Sequence, residues 1–135
     1  MTTSYQRIPL SDAIAFSEIL DPKLKTNSLR IQFLQPLSEK NAAACGLGGS
    51  LIASSSKAYP SNAIMNRKLH MLYGADLSCS ISKMGDVQVI TLRTSSIADR
   101  YALEHEAVFS ELTQILLGCI FEPYVTDGAF DETEF

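Results

Sequence analysis

The chain has 135 residues, is 46% hydrophobic, and carries 11 Lys and Arg against 15 Asp and Glu, a net charge of −4. That length suits one domain able to bury a core without staples. The acidic balance, with no basic stripe, excludes a nucleic-acid footprint, and no window of 18 apolar residues is present to span a membrane. The opening MTTSYQRIPL lacks the basic-then-apolar pattern of an export signal, so the expected setting is the reducing cytoplasm. Cys45, Cys79 and Cys119 are odd in number, far apart and set among apolar residues. They read as buried free thiols rather than disulfides or metal ligands.

In chain order, residues 5–10 suit a short strand, and residues 13–20, AIAFSEIL, an apolar and partly alternating one. Asp21-Pro22-Lys23 punctuates, Thr26-Asn27 completes a turn, and residues 28–34 alternate cleanly, with Leu29, Ile31 and Phe33 on one face and Arg30 and Gln32 on the other. The runs 13–20 and 28–34 are expected to form an antiparallel hairpin. Ser38 then caps a helix within 41–60, NAAACGLGGSLIASSSKAYP, one side of which is almost all small residues. Gly46, Gly48 and Gly49 each cost such a helix about 1 kcal/mol relative to Ala, so a close helix–helix or helix–sheet contact is expected to offset them. Ser61 caps a second helix over 62–73, which Gly74 ends. Leu77, Cys79 and Ile81 alternate with serines, Met84-Gly85-Asp86 turns the chain, and the outgoing strand is apolar on both faces. That is a β-hairpin whose second strand is central in its sheet. Ser96 and Asp99 fit a capping box for the longest helix, 99–117, with Leu103, Ala107, Leu112, Ile115 and Leu116 as its buried stripe and Gly118 and Pro123 closing it. The reading is a single α+β domain over 1–135, an antiparallel sheet with helices packed on one face in the order β-β-α-α-β-β-α.

Nothing local completes a catalytic set. His70 and His105 lack a second His or Cys at i+3 or i+4, and Glu104 and Glu106 beside His105 point elsewhere on a helix. Both histidines read as solvated or satisfied helix residues. No Gly-x-Ser-x-Gly elbow occurs, Ser54-Ser55-Ser56 reads as a helix end, and Cys45 sits inside its helix rather than at the N-terminus that would activate a thiol. No Lys-Ser/Thr pair follows the glycines to make a phosphate loop.

The run LKTNSLRIQFLQPL, the small-residue helix ending in SSKAYPS, the stretch KLHMLYGADLSCSISKMGDVQVITLRT, and a Leu-rich helix followed by FEPYVTDGAF together resemble the N-terminal part of an M16 (insulinase/pitrilysin-like) zinc peptidase. Leu72-Tyr73-Gly74-Ala75 ahead of a hairpin and the closing Pro then Gly-x-Phe are the most specific, and the likeness covers nearly the whole chain. It is strongest to the non-catalytic branch of Gram-positive bacteria, often labelled with elongation-factor P modification or peptide maturation. In active members this helix carries His-x-x-Glu-His, in which the histidines bind zinc and the Glu activates water. Anchored on Tyr59-Pro60, those positions fall at Gly46, Gly49 and Ser50, and residues 41–60 contain neither His nor Glu. The family's third ligand, a later Glu, falls near or beyond Phe135.

The resemblance therefore implies an M16-like domain with a vestigial site at Gly46, Gly49 and Ser50, no cofactor of its own, and zinc in a homologous catalytic subunit with which it pairs to bind or enclose peptide substrates. Neither nucleic acid nor membrane is an expected partner. Two other readings stand beside it, an active metallopeptidase with ligands outside these residues and a stand-alone interaction module. The charges from Glu122 onward are all acidic and the chain stops at Phe135 where a helix could open, so an N-terminal fragment of a longer protein is expected. If sheet strands lie beyond Phe135, an exposed edge or apolar face would drive self-association.

Overall fold

A computed structural model describes residues 2–126 and Gly128, apart from the side chain of Leu47. The elements are β1 (Ser4–Ser11), β2 (Ile14–Leu20), β3 (Thr26–Pro36), α1 (Glu39–Ile52), α2 (Asn62–Met71), β4 (Asp76–Met84), β5 (Val87–Ile97), a single 3-10 turn (Asp99–Tyr101) and α3 (Val108–Phe121). The α+β class is as read from the sequence, with one strand more at the start of the order. The run Gly128-Ala129-Phe130, the acidic residues from Asp127 onward and the end at Phe135 lie outside the described residues or at their edge.

The main sheet has the order β3-β5-β4, antiparallel throughout, so β5 is central as its two-faced apolar pattern requires. Gly85 takes a left-handed φ of +61° in the two-residue loop joining β4 to β5, the conformation such a loop demands. One face of the sheet is continuous in register. Leu29, Ile31 and Phe33 of β3 lie beside Thr94, Leu92 and Ile90 of β5, and those beside Leu77, Cys79 and Ile81 of β4. The helices cover this face, α1 against β4 and α3 against β5. The opposite face is mixed: Leu34, Val87 and the buried Val89 share it with polar residues, among which Gln32 donates to Thr91 Oγ1 and Arg93 reaches Ser28.

The expected hairpin between residues 13–20 and 28–34 does not form. β2 pairs with β1 across Asp12-Ala13, as a separate two-stranded sheet with a bulge between Pro9 and Ser11. β3 instead finds β5, because its apolar residues share one face and need a partner whose apolar residues do the same. The polar link after β2 serves a different end. Asp21 accepts from the Lys23 amide, and Arg100 donates to the carbonyls of Pro22 and Leu24 at 3.0 and 2.5 Å.

Ser38 and Ser61 accept from the amides of Asn41 and Ile64, so both helix caps stand where the sequence puts them. After α2, Tyr73 and Gly74 are both left-handed (φ +59° and +69°), and the Ala75 amide returns to the Leu69 carbonyl. The core closes between α2, α3 and the start of β4, around Met65, Leu69, Leu72, Ala75, Ala102, Val108, Leu112, Ile115 and Cys119, with Leu77 against them. Lys68 and Glu111 form an ion pair between α2 and α3.

The helix expected over 99–117 is broken. Only one 3-10 turn forms at Asp99–Tyr101, a linker follows in which His105 is left-handed (φ +55°), and α3 runs from Val108 to Phe121 with Gly118 inside it. Leu103 is 87% exposed rather than part of the stripe. The linker is held by Tyr73, whose hydroxyl accepts from the Leu103 amide at 3.0 Å and donates to Glu106 at 2.5 Å. α3 is no longer than α1, each having 14 residues. Ser96 is buried within β5 and donates to the Ile97 carbonyl instead of capping. Asp99 does cap a helix, but α3, accepting from the Phe109 amide at 3.0 Å. Asp99→Ala should cost about 1 kcal/mol in urea denaturation while Asp99→Asn, which keeps the acceptor, should cost less than half of that.

Candidate functional site

The three positions that the resemblance implies as vestigial lie on α1, and the helix turns them two ways. Gly46 and Ser50, one turn apart, are exposed, whereas Gly49 is buried against β4. A Cβ built on Gly49 would stand 3.1 Å from Ile81 Cδ1 and 3.2 Å from Cys79 Sγ. The expected close approach is thus found at one glycine of three, and what fills the space is β4 side chains rather than another backbone. Gly46 and Gly48 have nothing within 4 Å of such a Cβ.

The sheet-facing side of α1 also carries Cys45, one turn before Gly49. Its sulfur accepts from Gln35 Nε2 at 3.0 Å, and the same nitrogen donates to Gln88 Oε1 at 3.1 Å. Gln88 is fully buried, directly across from Gln35 in the β3–β5 register. This polar cluster beneath the helix is absent from the sequence reading. Its signal was available, since the alternation Leu29, Ile31, Phe33 continues to Gln35 and puts an amide on the apolar face. A buried amide requires partners, and the Gln35 amide nitrogen meets both the Gln88 carbonyl oxygen and the thiol sulfur.

The donor set at the three positions does not fit zinc. Gly46 and Gly49 have no side chain, Ser50 offers only a hydroxyl, and a zinc centre needs convergent imidazole, thiolate or carboxylate groups. Among the described residues no three or more His, Cys, Asp or Glu gather where they could hold a metal ion. His70 is exposed on α2 and His105 is exposed on the linker, not within a helix.

All three cysteines are free, but only Cys119 is fully buried; Cys45 and Cys79 are half-buried. Burial pushes the Cys79 thiol up, with the neighbouring Cys45 adding to it, and burial pushes Cys119 up to about 11. An unfolded cysteine ionises near 8.5. The unfolded chain therefore loses its Cys119 proton first as pH rises. The stability gained by keeping that thiol neutral is complete below about pH 8.5 and is lost between there and about 11. Denaturation midpoints of the native chain should fall between pH 8 and 10, and a Cys119→Ala variant should show a shallower fall.

No helix among the described residues is long and apolar enough to cross a membrane. No family model matches the chain. In sequence it is 28% identical over 108 residues to the Probable inactive metalloprotease YmfF of Bacillus subtilis (strain 168), a match that covers 80% of this chain and 25% of that protein. In fold it superposes on a crystal structure of a conserved protein from Enterococcus faecalis V583 with a TM-score of 0.88 and 25% identity, over 96% of this chain and 30% of that one. The chain thus spans between a quarter and a third of the length of the proteins it matches, and the sequence relative among them is one named as an inactive metalloprotease.

Proposed function

We propose that the chain is a catalytically inactive zinc-peptidase homologue of the M16 kind, acting in the cytoplasm beside a zinc-bearing sister chain and contributing surface that binds or encloses peptide. The observation that carries this reading is the donor set of α1. On this reading α1 stands where active members carry the metal motif, and it offers Gly46 and Ser50 on its exposed side and wedges Gly49 against Ile81 and Cys79. The similarity to a protein named as an inactive metalloprotease supports the same reading. The N-cap of α1 and its seat on the sheet are consistent with that reading.

The test is a pull-down from source cells with the tagged protein, followed by mass spectrometry and zinc analysis. A peptidase-like partner bringing roughly one zinc per pair is expected. Zinc held by this chain alone, or zinc-dependent peptide cleavage by it alone, would overturn the proposal. Recovery of neither zinc nor partner would favour an interaction module.

A further inference from the structure

The β1–β2 hairpin carries exposed large apolar residues on both faces and packs extensively only on itself. Its register puts Ile8, Ile14, Phe16 and Leu20 on one face, where Gln6 also donates to Glu18, and Tyr5, Ala15 and Ile19 on the other, beside Arg7 and Ser17. Tyr5 and Ile19 are 62% and 63% exposed, and even the cross-strand pair Ile8 and Phe16 is more than 40% exposed. A two-stranded hairpin is marginal by itself in water, and apolar residues on both faces are the pattern of a strand covered on both sides.

We propose that this hairpin is a docking element, covered on both faces by polypeptide equivalent to the part of the longer relatives that lies outside the matched segment. Two observations favour that occupant. With 96% of the chain superposed on the solved relative, at most about five residues fall outside the match, so most of the seventeen-residue hairpin belongs to the shared fold. That relative is more than three times as long as the part it shares, so it contains ample chain for the purpose. A second copy is the weaker candidate, because a two-fold stack of hairpins covers one face of each and leaves the other in water. The inference is independent of the function proposed above.

The test is amide hydrogen exchange read by mass spectrometry, on the 135-residue chain alone and on the chain joined to the unmatched part of the Enterococcus faecalis protein, with light scattering on both. Alone, the chain should be monomeric, with amides of residues 4–20 exchanging within seconds while those of β5 stay protected. Joined, residues 4–20 should slow at least 100-fold with β5 unchanged, and Tyr5→Lys with Phe16→Lys should reverse that gain. The same comparison within the Enterococcus faecalis protein, full length against its matched segment, keeps the result decisive where the joined protein does not fold. A monomer whose hairpin is already protected would overturn the proposal. So would a dimer whose hairpin protection disappears on dilution, which would make a second copy the occupant. Unprotected hairpin amides in the folded full-length relative would overturn it as well.

Discussion

Gly49→Glu should lower the stability of the folded chain by about 3–5 kcal/mol, read from urea denaturation. A Cβ at this position already stands 3.1 and 3.2 Å from Ile81 Cδ1 and Cys79 Sγ. A longer side chain must push α1 off β4, or leave a carboxylate against apolar groups with no cation to meet it. The gain in helix propensity, under about 1 kcal/mol, does not offset this. Gly46→Ala and Gly48→Ala should do the reverse, each raising stability by about 1 kcal/mol, because nothing lies within 4 Å of the added methyl. Gly49→Ala sits between, within about 1 kcal/mol of the native chain, since the atom it meets first is the end of a flexible isoleucine. The series bears on function as well. Installing a metal motif through Gly46→His, Gly49→Glu and Ser50→His should destabilise the helix seat before any ion is bound. It should also confer no peptidase activity in the absence of a further carboxylate ligand.

Leu112→Ala should cost about 3–4 kcal/mol, while Leu103→Ala should change stability by less than about 0.5 kcal/mol. Leu112 is completely buried among Met65, Leu69, Val108 and Ile115, and truncation there removes transfer energy and leaves a cavity. Leu103 stands on the linker with its side chain in water. Thermal or urea melts of the two variants measure the difference. Equal costs would mean that a continuous helix over 99–117 forms in solution after all.

That contrast marks where the sequence stops being informative. The β4–β5 hairpin and the caps at Ser38 and Ser61 were legible because each is settled within a few residues, by alternation, a Gly-bearing turn or a hydroxyl three residues ahead of an amide. The break after Asp99 was not. The apolar residues from Ala98 to Ala107 have helical spacing, but Ala98 leads into the 3-10 turn, His105 leaves the helical region, and the Tyr73 hydroxyl from a distant element takes the Leu103 amide. The pairing of β2 was misread for a similar reason. A polar, Pro-bearing link resembles a hairpin turn whichever way its strands go, and what draws β3 elsewhere is the matching apolar face of β5, more than fifty residues later. At the candidate site the residues alone showed that 41–60 contain neither His nor Glu. The inward set of Gly49 and the Gln35–Cys45–Gln88 cluster depend on which side of α1 meets the sheet, and a weakly amphipathic, glycine-rich helix gives little sign of that.

The antiparallel pairing of β3 with β5 also imposes a schedule on the nascent chain. The paired residues lie 51 to 71 positions apart, so at roughly 5–20 residues per second β3 leaves the ribosome about 3–14 s before its mate has been made. β4 and β5 zip within microseconds once both are out, which leaves β3 the last strand to join. During that wait Leu29, Ile31 and Phe33 are an unclaimed apolar row, and a chaperone that holds extended segments would find its binding site there rather than in the finished molecule.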